Sequence, residues 1–344
     1  MKAPFPTATV RRLAVMTLAV GLLFGLPAVA TADPVTPAAE QDRGPVGTVR
    51  GIDRIDDVRW DVLVYSPSMN ADIKIQVIRP ADSSVPRPTL YMLNGAGAGV
   101  DGANWLAKTD IVDFFADKNV NVAMPVGGYL SYYTDWERDD PKLGRNKWQT
   151  FLTHELPPVL DEALGANGVN SIGGLSMSAG SVLDLAIQAP GLYRGVASYS
   201  GCAQTSDPVT RSFIRALVQL RGGGNTDNMW GPDDDPRWVE HDPLVNAEKL
   251  RGLDLFVSNA SGLPGPYEMP GNVRPAGSPP LADQVLLGGL IEAGANACAH
   301  NLVNRLGELG IPVTTNFPAA GTHSWQYWQD ALRASWPTLK RSLS

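Results

Sequence analysis

The pattern of apolar and polar residues along the chain shows two periods, that of a β-strand and that of an α-helix. Residues 72–78 alternate strictly, which predicts a strand with one solvated face. Residues 49–64 predict an edge hairpin, and short apolar runs predict further strands at 88–93, 120–125, 168–172, 195–200, 253–258 and 312–317. Helical periodicity covers 110–117, 147–164, 181–187, 211–220, 281–309 and 325–343, with a kink or break expected at Pro157 and Pro158. Strands alternating with helices predict an α/β fold with a mostly parallel sheet covered on both faces.

The sequence GGLSMSAG at 173–180 lies between a predicted strand and a predicted helix. A serine at a sharp strand-to-helix turn, flanked by small residues, is the layout of a nucleophile elbow. Gly174 supplies the small residue two positions before Ser176, and Ser178 replaces the glycine usual two positions after it. The alternative is a Gly/Ser-rich loop without catalytic function.

A glycine-rich turn, NGAGAG at 94–99, follows the predicted strand 88–93. In sheets that carry a serine elbow, such a turn supplies the second backbone N–H of an oxyanion hole. The rival interpretation is a phosphate-binding loop. No lysine follows the glycines at the required spacing, and the next strand lacks the acidic end of a dinucleotide site.

A serine nucleophile needs a base, and the chain has four histidines. In an α/β-hydrolase fold the base follows the last strand, where His323 lies in GTHSW at 321–325. For His154, His241 and His300 a surface or packing role is expected.

The acid that orients this histidine should lie between the late strand and His323. Glu292 is surrounded by apolar and small residues, so its carboxylate would need a buried partner such as an imidazolium. The pattern favours Glu292 but leaves Glu268, Asp283 and Glu308 open.

Composition excludes some classes of protein. The net charge of −7 and the lack of a Lys/Arg-rich patch argue against nucleic-acid binding. The 35 glycines and 28 prolines predict long irregular loops. We see no internal repeat, no domain linker and no metal-ligand cluster, and we expect a single catalytic domain at 47–344 that needs no cofactor.

The first 32 residues have the pattern of a secretory signal peptide. Lys2, Arg11 and Arg12 precede an apolar run at 13–29, and small residues allow cleavage after Ala30 or Ala32. An uncleaved anchor is the alternative, but the apolar run is short and no second run of spanning length follows. Residues 33–46 are expected to form a flexible leader, and the mature protein is expected to be secreted or held in the cell envelope.

Export changes the interpretation of the two cysteines. In an oxidising compartment two cysteines usually pair, so we predict a disulfide between Cys202 and Cys298. Two buried thiols are the alternative.

Ordered motifs from residue 65 to the C-terminus resemble the mycolyltransferases of mycobacteria and their relatives, the antigen 85 family. The motifs that carry the resemblance are SPSM at 66–69, MPVGG at 124–128, KWQTFLT at 147–153, GLSMS at 174–178, MWGP at 229–232 and GTHSW at 321–325.

The resemblance implies an α/β-hydrolase fold that transfers a mycolyl group between trehalose mycolates or to other carbohydrate hydroxyls. It places Ser176 on the nucleophile, His323 on the base and Glu292 on the acid. The backbone N–H groups of Ala96 and Met177 would form the oxyanion hole. We also expect Asn94, Ser324 and Trp325 to contact the substrate.

The chain departs from the family pattern in three places. Family members have Asp-Gly-Leu-Arg where this chain has Asn-Gly-Ala-Gly at 94–97, so carbohydrate binding should differ in detail. The cysteine pair that family members carry in the loop after Asp135 and Trp136 is absent, and so is a cysteine that they carry near the late strand. Two alternative functions stay open. One is a secreted carboxylesterase with the same triad, and the other is a wall-associated binding protein with weak catalysis. The expected partners are trehalose mycolates and cell-wall carbohydrates, and the expected oligomeric state is a monomer without a stable membrane span.

Overall fold

A nine-stranded mixed sheet forms the centre of the computed structural model, which describes Met1 and residues 45–344 apart from 273, 275 and 276. The strand order is β1-β2-β3-β5-β4-β6-β7-β8-β9. The strands are β1 (Thr48–Arg54), β2 (Arg59–Ser66), β3 (Ala71–Ile78), β4 (Arg87–Leu93), β5 (Asn121–Val126), β6 (Ala166–Leu175), β7 (Tyr193–Tyr199), β8 (Asp254–Ser258) and β9 (Thr314–Asn316). The pairs β1–β2, β2–β3 and β3–β5 are antiparallel, and the pairs from β5 through β4 to β9 are parallel.

Ten α-helices connect or follow these strands in the described part of the chain. They are α1 (Trp105–Lys108), α2 (Ile111–Phe115), α3 (Trp148–Thr150), α4 (Leu156–Leu164), α5 (Met177–Gln188), α6 (Pro208–Ala216), α7 (Arg237–Glu240), α8 (Leu281–Asp283), α9 (Gly289–Glu308) and α10 (Trp325–Ser342). Three π-helical turns join or extend them, at Phe151–Glu155, Leu217–Arg221 and Gln284–Gly288. Short 3₁₀ turns lie at Thr226–Asn228, Ala247–Leu250 and Pro266–Glu268.

The sheet has a hydrophobic core on each face. Apolar side chains of α4, α5 and α9 form one cluster with β2 and β3, and those of α1, α2 and α10 form the other. Strand β4 is buried on both faces, which explains its continuous apolar sequence, whereas β2 and β3 alternate between buried and exposed side chains. A third cluster packs α6 against the segment that contains α7.

The architecture confirms the predicted α/β-hydrolase fold and the edge hairpin of β1 and β2. The prolines at 157 and 158 do not break their helix. They lie in the first turn of α4, where a missing N–H costs little, directly after a π-helical turn.

The N-terminal predictions lie almost entirely outside the described residues. These are the signal peptide at 1–32, its cleavage after Ala30 or Ala32, and the leader at 33–46, of which only Met1 and residues 45–46 are described. Within the described part of the chain, no helix has both the length and the apolar character that a membrane span requires.

Candidate active site

Ser176 occupies the tip of the turn between β6 and α5. Its backbone has φ 56° and ψ −118°, a conformation that non-glycine residues rarely adopt. Such strain costs about 1–3 kcal/mol and persists only where the surroundings enforce it. Here the Ser176 N–H donates to the Tyr199 carbonyl at 2.9 Å, and the Ser176 carbonyl accepts from Ala179 N–H at 3.1 Å. The turn therefore projects the Ser176 side chain beyond the carboxyl edge of the sheet.

Close contacts around the turn explain why the residues that flank Ser176 are small. A Cβ at Gly174 would lie 2.6 Å from Ser178 Oγ and 2.8 Å from Val182 Cγ1. The Ser178 hydroxyl donates to the Leu175 carbonyl at 3.0 Å, which satisfies a buried polar group inside the turn. Serine thus fits where the usual pattern has glycine.

Three predicted site residues form a continuous hydrogen-bonded line. The Ser176 Oγ lies 2.8 Å from His323 Nε2, and His323 Nδ1 lies 2.8 Å from Glu292 Oε2. These residues come from the turn after β6, the segment after β9 and the first turn of α9. The carboxylate thereby fixes the imidazole tautomer that leaves Nε2 free to accept a proton from the hydroxyl.

Glu292 is completely buried, and both of its oxygens have partners. The oxygen that does not face His323 accepts hydrogen bonds from Ser200 Oγ and the Ala260 N–H, each at 2.8 Å. Ser200 and Ala260 follow β7 and β8, so the carboxyl ends of two neighbouring strands hold the acid in place. Neither partner could be predicted from the sequence pattern.

A second buried carboxylate, Glu268, holds the segment that carries His323. It accepts four hydrogen bonds of 2.6–2.8 Å, from Gln284, Thr322, Tyr327 and the Gly265 N–H. Burial alone would raise the pKa of Glu268, but these hydrogen bonds outweigh it and lower the pKa below the ordinary value. Because Thr322 precedes His323, this network holds the chain directly next to the histidine.

Ala96 and Met177, whose backbone N–H groups are predicted to form the oxyanion hole, both line the cavity beside Ser176. No acceptor for either N–H lies within the described part of the chain. A Cβ at Gly95 would lie 2.9 Å from Leu175 Cδ1 and 3.3 Å from Ser176 Cβ, so only glycine allows the loop to pass this close to the elbow. The Met177 N–H is also the first amide of α5, where the helix dipole favours negative charge.

A cavity of about 720 Å³ opens beside Ser176 and His323. It extends between α6 and α9, and α5 forms one of its walls. Its lining is mainly apolar and includes Val209, Phe213, Leu217, Leu287, Leu290 and Ile291. The site therefore combines a polar centre with an apolar space of the kind that an acyl chain would occupy.

The three residues predicted to contact substrate lie apart from this cavity. Asn94 is fully buried, and its Nδ2 donates to the Pro125 carbonyl at 3.2 Å. Ser324 is buried at the start of α10. Trp325 is half-buried and packs edge-on against Trp105 and Trp328, at centroid distances of 5.7 and 5.1 Å. Their substrate contacts stay predictions. Tyr132 of the aromatic loop at 129–136 does line the cavity.

His241, expected to be a surface or packing residue, lines the cavity in a buried pair with Asp184. Its Nδ1 lies 2.8 Å from Asp184 Oδ2, and its ring stacks on Trp230 with centroids 5.3 Å apart. Burial alone would lower the pKa of His241, but the hydrogen bond and charge of Asp184 outweigh it and raise the pKa. The partners are 57 residues apart in the sequence, so no local pattern indicated the pair.

Because His241 and Asp184 form a buried pair, we expect the free energy of unfolding to depend on pH. The folded state binds the His241 proton more tightly than the unfolded state, whose imidazole titrates near 6.5. The stabilisation is therefore fully present below pH 6.5 and is lost as the pH rises through the raised pKa. We expect urea unfolding of the wild type to show this loss and Asp184→Asn to lack it. Equal pH slopes in the two proteins would contradict the assignment.

Cys202 and Cys298 form a disulfide, as predicted from the sequence. The bond joins the segment after β7 to α9, the helix that carries Glu292, and both cysteines border the cavity. It therefore links two elements that contribute to the site.

Replacing both cysteines with alanine is expected to destabilise the protein. The bond closes a loop with a sequence separation of 96, for which the chain-entropy model gives about 4–5 kcal/mol. Denaturant unfolding of the double variant measures this loss, and the wild type in reductant should match the variant. An unchanged unfolding midpoint in both samples would show that the bond contributes nothing to stability.

The described residues contain no group of three or more His, Cys, Asp or Glu side chains placed to hold a metal ion. The sheet order, together with a strained serine after β6 and a histidine after the last strand, defines an α/β-hydrolase fold. Residues 66–264 match the family model described as a putative esterase.

Curated relatives show to which family of α/β-hydrolase-fold proteins the chain belongs. The chain is 36% identical over 287 residues to diacylglycerol acyltransferase/mycolyltransferase Ag85A of Mycobacterium leprae, covering 81% of this chain and 82% of that protein. It is 34% identical over 291 residues to the Ag85B protein of the same description from Mycolicibacterium smegmatis, covering 82% and 84%. The chain belongs to the antigen 85 mycolyltransferase family.

Solved structures agree with this assignment. Mycobacterium tuberculosis MPT51 (FbpC1) superposes with a TM-score of 0.68 at 27% identity, covering 83% of this chain and 99% of that one. An S-formylglutathione hydrolase from Agrobacterium tumefaciens, with a TM-score of 0.57 at 12% identity, covers 86% of this chain and all of that one, and is similar in fold alone.

Proposed function

We propose that this protein is a secreted serine acyltransferase that moves a mycolyl group from trehalose monomycolate to a second trehalose monomycolate or to cell-wall arabinogalactan. The observation that carries the proposal is the hydrogen-bonded line from Ser176 through His323 to Glu292, which opens into an apolar cavity. Membership of the mycolyltransferase family supports the choice of acyl group and donor.

In the first half-reaction the Ser176 oxygen attacks the ester carbonyl of the donor. His323 Nε2 takes the hydroxyl proton, and Glu292 stabilises the imidazolium that forms. The oxyanion accepts hydrogen bonds from the Ala96 and Met177 amides, each worth on the order of 3 kcal/mol in the transition state. Collapse of this intermediate breaks the ester bond of the donor, and His323 gives the proton to the trehalose oxygen. Trehalose then departs, and Ser176 remains acylated.

The second half-reaction runs in the opposite direction. An acceptor hydroxyl gives its proton to His323 and attacks the acyl-enzyme carbonyl. Collapse of the new intermediate breaks the ester bond to Ser176, and His323 returns the proton to Ser176 Oγ. The acyl chain remains in the cavity during the exchange of sugars. No step needs a metal or an organic cofactor.

Secretion is part of the proposal. The basic and apolar pattern of residues 1–32 supports export, with cleavage after Ala30 or Ala32. The disulfide supports an oxidising destination outside the cytoplasm. We propose residues 47–344 as the single catalytic domain.

Product analysis with trehalose monomycolate as donor tests the proposal. The wild type is expected to form trehalose dimycolate, and mycolated glucose when glucose is added. Diacylglycerol is tested as a third acceptor, because the relatives' names include that activity. His323→Gln should form none of these products, and His154→Gln, an exposed histidine, serves as the control.

A carboxylesterase is the second candidate, favoured by the match of residues 66–264 to a family model described as an esterase. Free mycolic acid as the sole product would establish it. An absence of turnover by the wild type would favour a wall-associated binding protein.

A further inference from the structure

A polar pair interrupts the mainly apolar wall of the cavity on the side of α5. His241 and Asp184 both line the cavity, although each is more than nine-tenths buried. A buried polar group needs hydrogen-bond partners, and the two side chains supply one for each other. The reaction proposed for Ser176 and His323 makes no use of this pair.

The contact with Asp184 uses one nitrogen of the His241 ring and leaves the other one open. Within the described part of the chain, Nε2 has no hydrogen-bond partner, and protein atoms do not enclose it. Trp230 holds the ring in place, because the two rings stack with an angle of 11° between their planes. His241 therefore presents a hydrogen-bonding atom of fixed orientation to the cavity that it lines.

Tyr132 adds a second open polar atom beside the same tryptophan. Its ring centroid lies 6.2 Å from that of Trp230, and the residue lines the cavity. The Tyr132 hydroxyl has no hydrogen-bond partner among the residues that the structure describes and is not enclosed by them. Burial raises the pKa of Tyr132, so the hydroxyl keeps its proton and can donate it in a hydrogen bond.

The neighbouring polar side chain on α5 is not open in this way. Ser181 lies one turn before Asp184 and also lines the cavity. Its hydroxyl donates to the Tyr132 carbonyl at 2.6 Å, so its proton is already used. The open hydrogen-bonding capacity of this part of the wall thus belongs to His241 and Tyr132.

The helix sets the distance of this polar pair from the nucleophile. Asp184 follows Ser176 by eight residues, which corresponds to about 12 Å along the axis of α5. An extended hydrocarbon chain covers that length with roughly ten carbons, since each bond of about 1.5 Å adds about 1.3 Å along the chain. An acyl chain on Ser176 would therefore reach the pair far from its ester group.

A hydroxyl is the chemical group that matches these two atoms best. The neutral imidazole donates from Nδ1 to Asp184, so its Nε2 accepts a hydrogen bond, whereas the imidazolium donates from Nε2. A hydroxyl can donate to the first form and accept from the second. A ketone oxygen can only accept, so it would pair with Nε2 in the imidazolium alone.

We propose that His241 Nε2 and the Tyr132 hydroxyl bind a hydroxyl group on the acyl chain, roughly ten carbons from the ester, and that the enzyme thereby prefers hydroxylated acyl donors. The proposal rests on the proposed function for the presence of an acyl chain in the cavity. A sugar acceptor fits this place less well, because the mainly apolar lining would leave most of its hydroxyls without partners.

Three nitrophenyl esters test the preference, those of decanoate, 10-hydroxydecanoate and 2-hydroxydecanoate. The measured quantity is kcat/KM for each hydroxylated ester divided by that for decanoate. For 10-hydroxydecanoate this ratio should fall about tenfold in His241→Phe/Asp184→Leu and about fivefold in Tyr132→Phe. For 2-hydroxydecanoate, whose hydroxyl lies beside the ester, both variants should keep the wild-type ratio.

The variants are chosen so that the fold tolerates them. His241→Phe keeps a ring to stack on Trp230, and Asp184→Leu avoids an unpaired buried carboxylate. Tyr132→Phe removes a single oxygen and gives an independent reading if the double variant does not fold.

Two matched controls make the same chemical changes outside the cavity. Tyr129→Phe removes a hydroxyl from the same loop, and His300→Phe replaces a histidine that stacks on Phe317 with centroids 4.3 Å apart. Neither Tyr129 nor His300 lines the cavity, and both variants should keep the wild-type ratios.

Binding separates failure of this proposal from failure of the proposed function. Isothermal titration of Ser176→Ala with 1,10-decanediol and with 1-decanol needs no turnover, and the diol should bind about tenfold more tightly unless Tyr132→Phe is added. A wild type that acylates with none of the esters would refute the proposed function, and this titration would still decide the inference. Ester ratios that the variants leave unchanged, or variants that raise KM for a sugar acceptor instead, would overturn the hydroxyl site alone.

Discussion

Replacing Ser176 with alanine is expected to lower kcat for acyl transfer by roughly a million-fold, or about 8 kcal/mol of transition-state stabilisation. The variant keeps the cavity, the two amides and the His323–Glu292 pair but has no atom that can form the acyl-enzyme. Rates with a soluble short-chain ester and with trehalose monomycolate measure the loss.

Ser178→Ala is the matched control for this prediction. Ser178 is the other serine of the motif at 174–178, and its hydroxyl donates to the Leu175 carbonyl rather than to His323. Losing that hydrogen bond should cost about 1 kcal/mol of stability and leave the rate within about tenfold of wild type. If Ser176→Ala retained activity and Ser178→Ala did not, the assignment of the nucleophile would be wrong.

Replacing Glu292 with glutamine is expected to lower kcat on the order of ten-thousand-fold. Glutamine preserves the shape of the side chain but removes the charge that stabilises the His323 imidazolium, and its amide can present an N–H to His323 Nδ1 and favour the wrong tautomer. Substrate affinity should change little, because Glu292 is buried behind His323. Steady-state kinetics separate kcat from KM.

Two comparisons make this prediction specific. Glu308→Gln changes an exposed glutamate on the same helix that pairs with Arg305 at 3.0 Å, and it should leave the rate unchanged. The double variant Ser176→Ala/Glu292→Gln should be no slower than Ser176→Ala alone, since the two residues act as one unit. A Glu292→Gln rate within tenfold of wild type would assign the acid to another carboxylate.

The positions of the strands along the chain and of the serine turn could be predicted because both depend on local pattern. Alternation in β3 and a continuous apolar run in β4 directly reflect burial on one face or on two. The small residues around Ser176 reflect contacts of less than 3 Å that a larger side chain would make. These signals lie within a few residues of the feature that they predict.

Glu292 could not be assigned from pattern alone. Its partners, Ser200, Ala260 and His323, come from three separate segments, and only the fold brings them together. The family resemblance supplied the choice among four carboxylates. Glu268 was also a candidate for the acid. Its hydrogen bonds instead hold the segment that contains Thr322.

The buried pair of His241 and Asp184 shows what the sequence left open. His241 was expected to have a surface or packing role, and the structure shows packing, because Trp230 stacks on its ring and Asp184 on α5 binds its Nδ1. Asn94 shows a related difficulty, because it was expected to contact the substrate and is fully buried. Burial of such residues is decided by tertiary packing and not by neighbouring residues.

The mass of the acyl-enzyme is the most direct test of acyl transfer through Ser176. Wild-type protein mixed with trehalose monomycolate and quenched in acid should gain the mass of one mycolyl group, which peptide mapping should locate on Ser176. Addition of trehalose before the quench should remove the added mass and yield trehalose mycolate. A donor that turns over without any covalent adduct, or an adduct that persists in Ser176→Ala, would contradict acyl transfer through Ser176.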